Sequence, residues 1–228
     1  MDISRIDSFS EFCSELRKVG FSIGGKNDEG IFSLANHYTD RIIDHTGDSD
    51  SDPWEWRIRT VVEYDDIAFG KLFFDKSGWI TQKWYPYFIA ARRDSKSLED
   101  MYFDGLIPNL MKRIYDLIVD NSGIALNEIK TMIGIDKSQK SEFDKAVIKL
   151  QMLMFITING QKHKVSKEGK AFGWPVTTFC RSEDFFGPDI MIQASKLNQQ
   201  EAALKITERI LLLNENASSK KIEKFIGM

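Results

Sequence analysis

PNLMKRIYDLIVDNSGIALNEIKTMIGIDKSQKSEFDKAVIKLQMLMFITINGQKHKVSKEGKAFGWPVTTFC, residues 108–180, is the stretch whose reading decides the fold. Leu110, Met111, Ile114, Leu117 and Ile118 recur at helical spacing, which predicts a first helix over 108–121, closed by Asn121-Ser122-Gly123. Residues 125–133 give a short second helix stopped by Gly134. A third helix is expected over 139–154, with Phe143, Val147, Leu150 and Met154 on one face. Phe155 to Ile158 then reads as a strand, Asn159-Gly160 as the start of a turn, and Val176 to Phe179 as a returning strand. Three helices followed by a hairpin with a basic tip is the order of a winged helix-turn-helix. In that architecture the third helix enters the major groove and the wing touches the neighbouring backbone.

The charges of this stretch fit such a use. Residues 137–170 hold eight lysines against three acidic residues, inside a chain whose net charge is -3. Lys145 and Lys149 are four apart and so share one face of the third helix. Together with Lys140 on that helix, and Lys162, Lys164, Lys167 and Lys170 on the wing, they are expected to meet phosphates, which require charge rather than base-edge geometry. Gln139 is placed to read a base, whereas Gln151 adjoins the apolar stripe and is expected to be structural. A solvated lysine surface on a scaffold is the alternative that the same composition allows.

Outward from this stretch the chain is mixed. Ser8 and Glu11 suit a capped helix carrying Phe9, Phe12, Cys13 and Leu16, which makes Cys13 a core residue. Gly24-Gly25-Lys26 lacks the spacing of a phosphate-binding loop and is read as a turn. Residues 44–53 alternate aspartates like a calcium loop, but Pro53 and Arg59 stand where glycine and glutamate are needed, so no metal is expected. Asp52 and Pro53 instead open a helix expected to turn Trp54, Ile58, Val61 and Val62 inward. Ala68 to Phe74 and Trp79-Ile80 read as a hairpin around Asp75 to Gly78. In WYPYFIAARR, residues 84–93, aromatics precede Arg92 and Arg93. Those two arginines are candidates for phosphate contact, or else cap an aromatic core segment. The last 45 residues are helical, with Ala202, Ala203, Ile206, Ile210 and Leu213 in one stripe.

The whole is therefore expected to be α+β and mostly helical: a winged helix-turn-helix with short β-hairpins and flanking helices. The expected divisions are an N-terminal mixed lobe over 1–107, the winged-helix lobe over 108–182, and helices over 183–228 packing on the body. With 228 residues, 42% of them hydrophobic, the chain has enough apolar side chain for a substantial core. Two cysteines exclude a disulfide scaffold or a cysteine-rich zinc site. No apolar run has membrane-spanning length, and Met1 to Arg5 is too polar for a leader. A cytoplasmic monomer without cofactor is the expectation.

Several phrases carry a resemblance: HTGDSDSDPWEWRIR (45–59), FGKLFFDKSGWITQKWYPYFIAARR (69–93), NLMKRIYDLI (109–118) after Asp104-Gly105, KLQMLMFITINGQKHKVSKEG (149–169) and FGWPVTTF (172–179). In these the chain resembles the small bacterial AlkZ-related winged-helix proteins and, more distantly, the YcaQ/AlkZ DNA glycosylases. The resemblance implies winged-helix architecture and a nucleic-acid connection, and with the lysines it leads to the expectation of a double-stranded DNA partner and a link to DNA repair. Those glycosylases share a Gln-x-Asp or Gln-x-Gln catalytic motif near the N-terminus. Here no Gln precedes Gln82, and Gln82-Lys83-Trp84 does not match, so no catalytic position carries over.

Three functions follow as alternatives: a DNA-binding protein, an N-glycosylase-like enzyme acting on alkylated or cross-linked bases, and a protein-interaction scaffold with a vestigial wing. An enzyme needs a pocket for an extruded base and a carboxylate beside it. Trp54, Arg57 and Trp84 are the candidate pocket residues, and Glu55 and Asp66 the candidate carboxylates.

Overall fold

A computed structural model of the chain describes residues 2–166 and 169–227. The N-terminal part opens with α1 (Phe9–Val19), whose cap Ser8 accepts from the Glu11 amide at 3.3 Å. Glu11 reaches back to the Asp7 amide rather than to that of Ser8. Strand β1 (Phe21–Ile23) follows at once. After the capped loop, α2 (Pro53–Glu63) leads into β2 (Ile67–Phe73) and β3 (Lys76–Thr81), and the three strands form an antiparallel sheet ordered β1-β3-β2.

The β2–β3 turn sits at Phe74-Asp75, both with positive φ (54° and 60°), a tight hairpin turn placed earlier than the Asp75–Gly78 turn expected from sequence. Gly78 is inside β3 for a different reason: a Cβ there would lie 2.6 Å from the Phe73 ring and 2.8 Å from the Ser22 carbonyl.

The sheet is apolar on both faces. Ile67, Phe69 and Trp79 join one core with α1, Trp56 of α2 and the helices of the middle of the chain. Ala68, Leu72 and Ile80 join a second core with Phe21, Phe88 and the C-terminal helices. Strands covered on both faces read as continuous apolar runs instead of alternating ones, which is why FGKLFF shows little periodicity.

Helix α2 turns Val61 and Ile58 to the core as expected, but not Trp54 or Val62. Trp56 is fully buried among Phe9, Phe12 and Tyr38, while Trp54 is 43% exposed and Val62 lies outside. The cap fixes this rotation: Asp52 accepts from the amides of Trp54, His45 and Gly47, locking the first turn to the loop before it.

Helices α3 (Tyr85–Arg93) and α4 (Leu98–Phe103) lead to the middle of the chain. There α5 (Asn109–Asp120), β4 (Ile124–Ala125), α6 (Leu126–Ile133), α7 (Lys140–Met152), β5 (Ile156–Val165) and β6 (Ala171–Arg181) follow in order. Their sheet is antiparallel and ordered β4-β6-β5, so the short strand before α6 pairs with the far arm of the hairpin. Phe143, Val147 and Leu150 of α7 are buried in the first core with Met111, Ile114 and Ile118 of α5, as their spacing predicts. The chain closes with α8 (Ser182–Phe186), α9 (Asp189–Ser195), α10 (Gln199–Leu213) and α11 (Ser219–Ile226). Among the described residues no helix is long and apolar enough to cross a membrane.

Candidate nucleic-acid interface

Helix α7 divides cleanly. Its apolar residues fix one side in the core, and helical geometry then turns Lys145 and Lys149 outward, where both are exposed. Among the described residues no carboxylate comes within ion-pair distance of either. Lys140 is also exposed, but Asp144 takes it at 3.1 Å and takes Lys130 of α6 at 2.9 Å. Partial burial works against the Asp144 carboxylate, yet the hydrogen bonds from the two lysines win and hold it below the ordinary aspartate value. Lys140 therefore offers a partly neutralised charge.

Hairpin lysines differ in the same way. Lys162 is paired with Glu128 of α6 at 2.7 Å. That hydrogen bond, with one from the Ala125 amide, keeps the Glu128 carboxyl below its usual range against some desolvation. Lys164 and Lys170 are exposed, with no carboxylate in ion-pair range among the described residues. Lys167 lies outside the described residues. Ion pairs thus tie α7 to α6 and α6 to β5, and on α7 and the hairpin Lys145, Lys149, Lys164 and Lys170 have no ion-pair partner among the described residues.

Gln151, on the inner side of α7, is buried, and its Oε1 accepts from the Lys71 amide at 3.0 Å. It holds α7 to β2, and a Cβ at Gly70 would lie 2.8 Å from that oxygen.

Arg92 and Arg93 are not part of any surface, which corrects the expectation that they meet phosphates. Both are buried. Arg92 donates to the carbonyls of Ile226 (2.6 Å), Phe225 (2.9 Å) and Met152 (2.6 Å), the last turns of α11 and α7. Helix C-termini leave such carbonyls unpaired and carry partial negative charge, so they take the place of an anion. Arg93 donates to the Lys96 carbonyl at 3.0 Å and lies 4.0 Å over the Phe155 ring. Burial pushes the two guanidinium groups down to about 9 and about 10, which leaves both protonated at neutral pH.

Trp84 is also core, not pocket. It packs edge-on to Phe21 at 5.3 Å and under Arg209 at 5.5 Å, and any Cβ on Gly20 would strike its indole at 2.2 Å.

Trp54 and Arg57 do line a cleft, of about 370 Å³, between α2, the first sheet and the base of the β5–β6 hairpin. Asp44, Lys71, Phe69 and Thr177 complete its wall. The Arg57 guanidinium lies 3.1 Å over the Trp54 ring, and its Nε donates to the Trp54 carbonyl at 2.7 Å. Partial burial lowers the Arg57 pKa from its ordinary value. His45 sits on the same indole at 4.5 Å between ring centres.

The two carboxylates proposed from sequence are elsewhere. Glu55 faces a separate depression with Arg59 and Glu63. Asp66 is held bidentately by Arg17 at 2.7 and 2.8 Å, a pairing that occupies both its oxygens. Asp44 is the carboxylate of the cleft, and nothing in its local sequence marks it.

Burial pushes both cysteine thiols up to about 12, so neither Cys13 nor Cys180 is a nucleophile at neutral pH. Among the described residues no group of three His, Cys, Asp or Glu side chains is arranged to hold a metal ion. Sequence reasoning also passed over Val165, Phe172 and Trp174, all large, apolar and exposed on the hairpin. The signal was present in the phrase AFGWP, where a strand pattern is broken by Gly173 and Pro175.

No curated protein and no solved structure matches the chain. One family model does, over residues 6–227. With nearly all its length matched, and both the cleft and the lysine-bearing helix and hairpin inside the match, the chain belongs to the AlkZ-related family.

Proposed function

We propose that α5 to β6 form a winged helix that binds double-stranded DNA, with α7 in the major groove and the β5–β6 hairpin as the wing. The observation that carries this reading is the joint placement of an exposed, uncompensated Lys145-Lys149 pair on the third helix and Lys164 and Lys170 on the hairpin that follows it. The order of elements, with β4 pairing to the far arm of the hairpin, supports it. Family membership adds a connection to DNA repair. Such work belongs in the cytoplasm. The contacts described are point charges, so they favour phosphates over particular bases. The test is fluorescence anisotropy with labelled duplexes of unrelated sequence. Wild-type protein should bind all of them, and K145Q/K149Q should weaken all of them alike. No binding at low salt, or unchanged binding by the variant, would refute the reading.

A second reading rests on the cleft. An aromatic wall, an arginine and the Asp44 carboxylate around about 370 Å³ suit an extruded base and the cationic sugar of base excision. Release of alkylated purines from a duplex, lost in D44N, would establish that activity. Absence of release with intact duplex binding would leave the chain a binding protein.

A further inference from the structure

Phosphate contact accounts for the lysines of the β5–β6 hairpin but not for the side chains among them. Trp174 is 88% exposed, Val165 64% and Phe172 52%. The strand register shows how this comes about. Lys162 pairs with Val176 and Lys164 with Phe172, so β6 spends two more residues than β5 over the same interval. The resulting bulge contains Gly173, Trp174 and Pro175, with Gly173 at a φ of 70° and the His163 Nδ1 at 3.2 Å from the Gly173 carbonyl. Bulges of this kind re-aim a side chain. Here the bulge presents an indole to solvent on a paired ribbon, outside both hydrophobic cores. Apolar surface on an exposed hairpin invites aggregation unless it has a partner.

The surrounding charge selects the partner. Residues 161–176 hold four lysines and one glutamate. Lys164 lies directly across the ladder from Phe172, so a cation and an aromatic ring share one face of the ribbon. A nucleic acid offers the complementary arrangement, a phosphate beside a flat base. An intact duplex hides its base faces within the stack, whereas a bulge, nick or gap exposes one.

We propose that the tip of the hairpin recognises a break in base stacking, with Trp174 and Phe172 placed on the exposed base face and Lys164 and Lys170 on the flanking phosphates. The proposal rests on the duplex-binding reading and adds the kind of DNA preferred. Aromatic wedges at unstacked steps are a general means of gripping deformed duplexes, and one stacked base is worth about tenfold in affinity.

The test compares the wild type with F172S/W174S, whose replaced side chains are exposed and so should leave the thermal melt unchanged. Each protein is titrated into a fully paired duplex and into the same duplex with a one-nucleotide gap faced by 2-aminopurine. Wild type should prefer the gapped duplex by about tenfold and quench the 2-aminopurine. The variant should bind both duplexes at the paired-duplex level without quenching. Salt-sensitive binding of the wild type to both duplexes with equal affinity would overturn this proposal and leave the duplex-binding reading standing. Binding to neither would overturn both. Wild-type binding to phosphatidylglycerol vesicles that the variant loses, with no gap preference, would assign the apolar tip to a lipid surface and also overturn it.

Discussion

Arg92-Arg93 and Lys145/Lys149 are two pairs of cations beside apolar residues, and they end in opposite places. The lysines stand in solvent, one helical turn apart, on a helix whose inner face is already filled. The arginines are adjacent, at the end of a helix buried nearly all round, and point into the protein. What separates them is the supply of acceptors. Arg92 meets the free carbonyls of two helix ends, α11 and α7, and so joins the C-terminal helix to the helix proposed for DNA. A planar fork spreads five donors over three nitrogens in fixed directions and so reaches carbonyls on two helices, where a lysine has three donors on a single nitrogen. A cation next to aromatics is therefore a structural device in one region and a free surface charge in the other.

The largest effects should come from the buried pair and the core beneath the lysines. R92A removes three hydrogen bonds from a charged donor and strands carbonyls in two helices. It should destabilise by at least about 3 kcal/mol in a urea melt. A loss under about 1 kcal/mol would break the comparison. L150A should cost about 2–5 kcal/mol, since Leu150 is fully buried against α5. Unchanged stability would mean that α7 is not anchored as described.

An acid melt sharpens the comparison at a surface that is tied down rather than free. Glu29 accepts from Lys76 and from Lys221, joining the β2–β3 hairpin to α11. The Lys221 hydrogen bond first, and that of Lys76 next, bring its carboxyl from the ordinary 4.5 to about 2. A folded pKa below the unfolded one means that this stability is complete above about pH 4.5 and is lost as pH falls toward 2. E29Q should flatten the stability change between pH 5 and 2 without altering the slope near pH 7. An identical acid limb would show that the two lysines leave Glu29 unshifted.

Sequence reading reached the elements whose signals are local. Helix α7, the α5 spacing and the Asp52-Pro53 cap follow from periodicity and cap chemistry over a few residues. Both hairpins exist, but their turns lie elsewhere, at Phe74-Asp75 in the first, and in the second beyond Asn159-Gly160, which is inside β5 with Gly160 paired to Thr178. It did not find β1 or β4, of three and two residues, because such strands exist only through the partner strand that completes them. It placed Val61 and Ile58 of α2 inward correctly but chose Trp54 and Val62 in place of Trp56, since Trp54 and Trp56 look equally suited to a core and the choice is made by Asp52, which accepts from the Trp54 amide and from the His45 and Gly47 amides of the preceding loop. At the candidate site, the exposed lysines were legible from helix spacing. The Lys140–Asp144 pair has the same local spacing, four residues apart on α7, whereas the pairing of Lys162 was not legible, because Glu128 reaches it only through the packing of α6 beside β5. Asp44 joins its cleft by the same kind of long-range placement.

Replacing exposed lysines should have the smallest effect on the fold and a direct effect on binding. K145A/K149A should shift stability by no more than about 0.5 kcal/mol. The decisive measurement is the affinity of wild type and K145A/K149A for one duplex across a series of salt concentrations. Each lysine that meets a phosphate contributes about 0.9 to the slope of log affinity against log salt. The account expects a steep negative slope for the wild type and one shallower by nearly two such contributions for the variant, with both proteins equally folded. Parallel slopes for the two proteins, or no binding by the wild type at low salt, would contradict it.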